Sequence, residues 1–206
     1  MRNELRDRTG RLVRLESEPA TEADTSEANA AGLVLTRCIE QLRISLPLPP
    51  SKTPLLTRAF LPGQDDEAFL RVNNRAFAWH PDQSGLTLAQ LADRINEPWF
   101  DPQGFLLHEV NDELAGFCWT KIHPASNGNR ELGEIYVIAV DPDFHGSGLG
   151  RALTVAGLAH LAAQSVTVGM LHVEHDNTAA VSLYRNLGFS KYDAHSWWAL
   201  PEGDPS

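Results

Sequence analysis

"DPDFHGSGLGRAL", residues 141–153, follows directly on the strand-like run "ELGEIYVIAV". Gly146, Gly148 and Gly150 leave the backbone bare just where a helix begins. Leu149, Ala152, Leu153 and Ala156 then fall at i, i+3, i+4 and i+7, a single apolar stripe that predicts a helix. A glycine turn between strand and helix presents successive backbone N–H groups to an anion, reinforced by the positive end of the helix dipole. Side chains would hold such an anion away. Two phosphate-binding loops do not fit the spacing. A dinucleotide fingerprint opens the first strand–helix–strand unit and has an acid on a later strand tip, whereas this turn follows several strands and lacks that acid. A nucleotide-triphosphate loop needs Lys-Ser or Lys-Thr after its last glycine, and Arg151-Ala152 stands there.

Working outward, the signals alternate in order. "LLTRAF" reads as a strand, "DDEAFLRVNNRAFA" as a helix with acids in its first turn, and "LTLAQLADRI" as a second helix capped by Thr87. "GFLLHEV" and "LAGFCWTKIH" flank a short turn and predict a hairpin. "GEIYVIAV" precedes the glycine turn, and "VGMLHVE" is a further strand. "DNTAAVSLYRNLG" predicts a helix with the stripe Ala180, Leu183, Tyr184 and Leu187, stopped by Gly188. "FSKYD" and "HSWWAL" read as two final strands. This order implies an α/β chain, a mixed sheet with helices on both faces.

The N-terminal third reads differently. Residues 16–32, "ESEPATEADTSEANAAG", are acidic and small, so residues 1–32 are expected to form a disordered acidic tail. Residues 33–54 carry "LVLTRCIEQLRI", a strand or a short helix, and then the proline-rich linker "SLPLPPSKTP". The globular domain is expected over 55–200, with 201–206 as a second short tail.

Composition narrows the partners. Of 206 residues, 42% are apolar, enough for a core, while the formal net charge of −10 argues against nucleic acid or an anionic membrane surface as partner. Two cysteines, Cys38 and Cys118, do not make a disulfide framework, and no long apolar run or signal-peptide core stands out, so a cytoplasmic location is expected. Eight histidines show no metal-ligand spacing, and no metal is expected.

Together, "V-x-P-x-x-x-x-G-x-G" running into a helix and the later "DNTAAVSLYRNLGF" resemble the GNAT superfamily of N-acetyltransferases. "RVNNRAFAWHPDQSGLT", "EPWFDPQGFLLHE", "GFCWTKIHP" and "GEIYVIAVDP" narrow the resemblance to the C-terminal repeat of the mycothiol synthase family, over residues 55 to about 200. That family carries two tandem repeats, and residues 33–54 resemble the end of the first and its linker. The resemblance implies the acyl-CoA N-acyltransferase fold, a mixed and mostly antiparallel sheet.

It also implies the site. Acetyl-CoA, as co-substrate, is expected to lie along the backbone of Ile138, Ala139 and Val140. Its pyrophosphate would rest on His145, Gly146, Ser147, Gly148, Leu149, Gly150 and Arg151, with Asn177, Thr178, Ala179, Ala180, Val181 and Ser182 along its arm. His145 and Ser147 depart from the usual Gln or Arg and the basic residue of the family loop, which leaves the backbone as the cradle. Glu134 is the implied base and Tyr184 the acid that protonates the departing thiolate. Both are also expected to touch the acceptor, a small aminoglycoside-type thiol, cysteinyl glucosaminyl inositol, as are Asp82 and Lys121. Trp79, His80, Trp99 and Trp119 would either shape its sugar pocket or, as is the default for aromatics, belong to the core. Two readings stay open: transfer of acetyl to the cysteinyl amine, or a generic or non-catalytic relative that binds acetyl-CoA without that turnover. Weak self-association is expected in place of the first repeat.

Overall fold

In the computed structural model, which describes residues 1–49, 55–79, 85–125 and 130–201, a strand ends at Val140 and a helix begins at Leu149. The elements run β1 (Arg2–Arg6), β2 (Leu12–Ser17), α1 (Glu22–Ala30), β3 (Val34–Ser45), β4 (Arg58–Ala59), α2 (Asp66–Ala76) and α3 (Leu88–Ile95). There follow β5 (Phe105–Val110), β6 (Glu113–His123), β7 (Leu132–Val140), α4 (Leu149–Ala163), β8 (Val168–Glu174), α5 (Thr178–Leu187) and β9 (Ser190–Ala199). The chain divides into two units, Met1–Arg43 with Leu171–Ser206, and Ile44–Met170.

In the first unit, β1 pairs with β2, β2 with β9, and β9 with β3, all antiparallel. The expected disordered tail is therefore corrected: residues 2–30 supply two strands and a helix. Leu12 and Leu15 alternate inward on β2 and bury with Ala28, Leu33 and Trp198. Thr21 and Asp24 form a capping box that starts α1, each satisfying a backbone N–H of the other. Arg2 pairs with Asp24 and Glu27, so the acidic run is partly neutralised by the strand beside it. The division of the chain accordingly does not follow the proline run at 47–54, because β9 takes its neighbours from the N-terminal residues. "FSKYD" and "HSWWAL" are one continuous strand, β9, and "LLTRAF" contracts to the two-residue β4.

In the second unit, β4, β5, β6 and β7 are antiparallel neighbours and β7 runs parallel to β8. Asn111 and Asp112, at φ 53° and 63°, form the tight turn between β5 and β6, the conformation that matches strand twist in a two-residue hairpin. Alternation then sorts the side chains. One face carries Phe105, Leu107, Phe117, Trp119, Val137 and Ala139, which bury Phe69 and Val72 of α2 and Leu91 of α3. Phe105 stacks on Trp119 at 4.4 Å and on Phe60 at 4.3 Å. The opposite face carries Gly116, Cys118, Thr120 and Ile135 and receives α4. Helices thus cover both faces of this unit's sheet, as the sequence predicts.

The buried side of α4 is Leu153, Thr154, Gly157, Leu158 and Leu161, turned from the expected stripe, whose Leu149, Ala152 and Ala156 are only half-buried. The reason is Gly157. A Cβ there would sit 2.5 Å from Cys118 Sγ and 2.8 Å from Ile135 Cδ1, so the helix can lie this close to the strands only on a bare α-carbon. On α5 the fully buried pair is Val181 and Tyr184, with Ala180, Leu183 and Leu187 at the margin. Among the described residues no helix is long and apolar enough to cross a membrane.

Gly157→Ala is expected to destabilise despite a favourable local term. Alanine gains about 1 kcal/mol over glycine inside a helix, but overpacking a tight core costs roughly 1–3 kcal/mol, and the contacts here are with buried atoms. Urea unfolding is the check: the midpoint should fall, and an unchanged or raised midpoint would show that α4 can slide outward at little cost.

Candidate active site

The register between β6 and β7 slips once. It passes from Trp119↔Val137 to Thr120↔Ile135, leaving Tyr136 as an extra residue on β7. A bulge of one residue reverses which face each following side chain takes. Without it Glu134 would point toward α4. With it, Glu134, Tyr136 and Val137 all stand on the face that carries Trp119.

The consequence is a polar cluster at the edge of an aromatic core. Lys121 is the direct cross-strand partner of Glu134, and His123 lies two residues along β6 on the same face. His123 Nε2 is 2.7 Å from Glu134 Oε2. The Glu134 residue is only 8% exposed, whereas the His123 ring is 37% exposed. Lys121 Nζ lies 4.2 Å from the Trp99 ring centroid and 5.4 Å from that of Tyr136, a cation over two aromatic faces. Trp99 meets Tyr136 edge to face at 5.0 Å. A buried carboxylate, an ammonium and two partly buried rings thus stand together on this face.

One strand onward, the ladder between β7 and β8 covers Gly133↔Gly169 and Glu134↔Met170. Pairing with β6 on the other side continues to Val140. Within this unit and among the described residues, the β8-side edge of β7 from Ile135 to Val140 has no strand partner. Ile138, Ala139 and Val140 lie on that stretch. Ala139 is core, and Ile138 and Val140 are half-buried.

The edge leads into the glycine turn. Asp141 is buried, accepts from the Asp143 N–H at 3.0 Å, and pairs with Arg75 of α2 at 3.0 Å; Arg75 also grips Asp143. This clamp fixes the chain as it leaves β7. His145 Nε2 is 3.0 Å from the Val140 carbonyl oxygen, and the Ser147 hydroxyl donates to the Phe144 carbonyl at 2.6 Å. Both side chains are thus turned back onto the loop itself. Gly146 and Gly148 are left-handed, at φ 77° and 81°, and a Cβ on either would meet nothing within 4 Å. Gly148 is the N-cap of α4 and supplies no side-chain cap. The first turn of this 15-residue helix follows, with Leu149 and Gly150 half-buried and Arg151 exposed.

The remaining expected residues belong to the other unit. Asn177 caps α5, its side-chain oxygen accepting from the Ala180 N–H at 3.2 Å. Thr178, Ala179 and Ser182 are exposed on that helix, Ala180 is half-buried and Val181 is buried. Tyr184 is buried and meets Phe189 edge to face at 5.7 Å. Asp82 and His80 lie outside the described residues.

Some expectations change. Trp119 is fully buried between Phe105 and the neighbouring rings, so it is core rather than a pocket wall. Trp79 is exposed and donates its indole N–H to the Ala76 carbonyl. Two residues of the cluster, His123 and Tyr136, were not singled out from sequence. Alternation from Lys121 could have pointed to His123, but only a known register brings it to Glu134. Cys118, beneath α4, has its thiol pushed up to about 12 by burial, and stays protonated and inert.

Residues 70–189 match the acetyltransferase (GNAT) family, and the chain belongs to that family. It is 45% identical to a mycothiol acetyltransferase from Streptomyces griseus over 90% of this chain and 61% of that one. It is 47% identical to a mycothiol acetyltransferase from Streptomyces avermitilis over 90% of this chain and 60% of that one. The chain thus spans about three-fifths of the length of these curated relatives. Among solved structures, a GCN5-related N-acetyltransferase from Sphaerobacter thermophilus shares the fold, with a TM-score of 0.70 at 22% identity over 87% of this chain and 56% of that one.

Proposed function

We propose that this chain carries the catalytic part of an acetyl-CoA-dependent N-acetyltransferase acting on the cysteinyl amine of cysteinyl glucosaminyl inositol, the last step of mycothiol biosynthesis. The observation that carries the reading is the single run of β7. Its bulge presents the buried Glu134, its following edge has no strand partner among the described residues of its unit, and its end feeds the glycine mouth of α4, which has no side-chain cap. The acceptor is the one the family resemblance implies, and the relatives at 45–47% identity, named mycothiol acetyltransferases, support it.

In this reading the co-substrate's pyrophosphate rests on the backbone N–H groups of residues 146–151, which Gly146 and Gly148 leave bare on their open side. Its amide-bearing arm pairs with the free edge of Ile138–Val140, and the family resemblance gives Asn177–Ser182 a part in holding it. Backbone N–H near Val140 polarises the thioester carbonyl. Glu134 takes a proton from the substrate ammonium. The freed amine attacks the carbonyl carbon, the C–N bond forms and the C–S bond breaks; the nitrogen then sheds its surplus proton and the departing thiolate gains one, a donor role that the family resemblance gives to Tyr184. The rings of Trp99 and Tyr136 and the Lys121 ammonium receive the hydroxyl-rich part of the acceptor.

The test is acceptor choice. Release of free coenzyme A thiol should be rapid with cysteinyl glucosaminyl inositol and near background with glucosaminyl inositol, which lacks the cysteinyl amine. Equal release with both, or with neither, contradicts the assignment.

A further inference from the structure

We propose that His123 is the positioning residue of Glu134, fixing the carboxylate for proton abstraction; this rests on the reading of Glu134 as the base. An ionised carboxylate can only accept, so the 2.7 Å contact assigns the hydrogen to Nε2 of His123. A glutamate side chain has three rotatable bonds, and one donor on Oε2 removes most of that freedom. The placement follows from the backbone. The bulge at Tyr136 turns Glu134 to the face of Lys121, and the two-residue strand period brings His123 to the same face.

Lys121 faces this pair from β6, and its ammonium lies over Trp99 and Tyr136. His123 is the more exposed partner and Glu134 the more buried one. The imidazole therefore stands on the solvent side of the base, where it shields the carboxylate from competing water as well as orienting it. A misplacement of about 1 Å at a reacting group costs roughly 10²-fold in rate, so loss of this contact should be felt in turnover and not in cofactor binding.

Two variants and one spectrum test the proposal, with Glu134→Gln as the reference. His123→Leu keeps bulk and removes the donor. It should lower kcat on cysteinyl glucosaminyl inositol by roughly 10–100-fold, with the acetyl-CoA Kd and the unfolding midpoint within twofold and a few degrees of the parent. His123→Gln places an amide donor near the position of Nε2 and should recover most of the loss. If Glu134→Gln is inactive while His123→Leu keeps full turnover, Glu134 is the base and the positioning role is wrong. If Glu134→Gln keeps full turnover, the base assignment itself fails. Nitrogen-15 spectra of the imidazole decide without turnover: the parent should show the Nε2–H tautomer, and Glu134→Ala a mixture. An Nδ1–H tautomer in the parent overturns the proposal.

Discussion

Glu134→Gln is expected to lower turnover by roughly 10²–10⁴-fold while acetyl-CoA binding stays nearly intact. The amide matches the carboxylate in shape, and its oxygen can still accept from His123 Nε2, so the local packing survives. What it cannot do is take a proton. A substrate ammonium that keeps its proton has no lone pair for the thioester carbon. The acid limb of the pH–rate profile should vanish as well, because no carboxylate remains to be protonated there. Rapid-quench turnover alongside calorimetric titration of acetyl-CoA separates the two quantities. A variant with parental turnover removes Glu134 from the mechanism; a variant with equal losses in turnover and cofactor affinity points to a folding defect instead.

Gly148→Val should weaken acetyl-CoA binding by tenfold or more, a loss of at least about 1.4 kcal/mol. Two effects combine. At φ 81° the left-handed backbone is closed to a β-branched residue at about 1–2 kcal/mol or more, so the turn itself shifts. The second effect is occupancy. A Cβ at Gly148 meets no protein atom within 4 Å, so the side chain enters the open space that the anion is proposed to fill. Gly148→Asn divides these contributions, since asparagine tolerates the left-handed region while still projecting a side chain. The asparagine variant should keep the parental unfolding midpoint and lose affinity. Parental affinity in a folded Gly148→Asn protein would place the pyrophosphate elsewhere.

The glycine turn was legible because its chemistry is local. Strand, bare backbone and apolar helix stand within about thirty residues, and no distant partner is needed to recognise them. Thr87 as a helix cap was legible for the same reason, and it forms a capping box with Gln90. The N-terminal residues were misread because composition outweighed pattern. "TEAD" at 21–24 carries the spacing of a capping box, and Leu12 and Leu15 the inward positions of a strand, but both are stabilised by β9, more than 160 residues away. Non-local pairing leaves little trace in a single window of sequence.

The site divides along the same line. Glu134 and Lys121 could be named from motifs, yet their adjacency depends on a bulge at Tyr136 that no propensity marks. His123 follows from that adjacency and from nothing nearer. The buried side of α4 likewise turned on Gly157, which an apolar count passes over because glycine contributes no hydrophobic surface.

In the proposed reaction, acetyl passes from acetyl-CoA to the cysteinyl nitrogen through residues this chain contains. Incubating the chain with acetyl-CoA and cysteinyl glucosaminyl inositol, then locating the acetyl group by carbon-13 labelling and NMR, tests it most directly. The expected product is an amide on the cysteinyl nitrogen with the substrate thiol still free to react. Label found on sulfur or on a sugar hydroxyl, or no labelled product from a folded chain that binds acetyl-CoA, would contradict it.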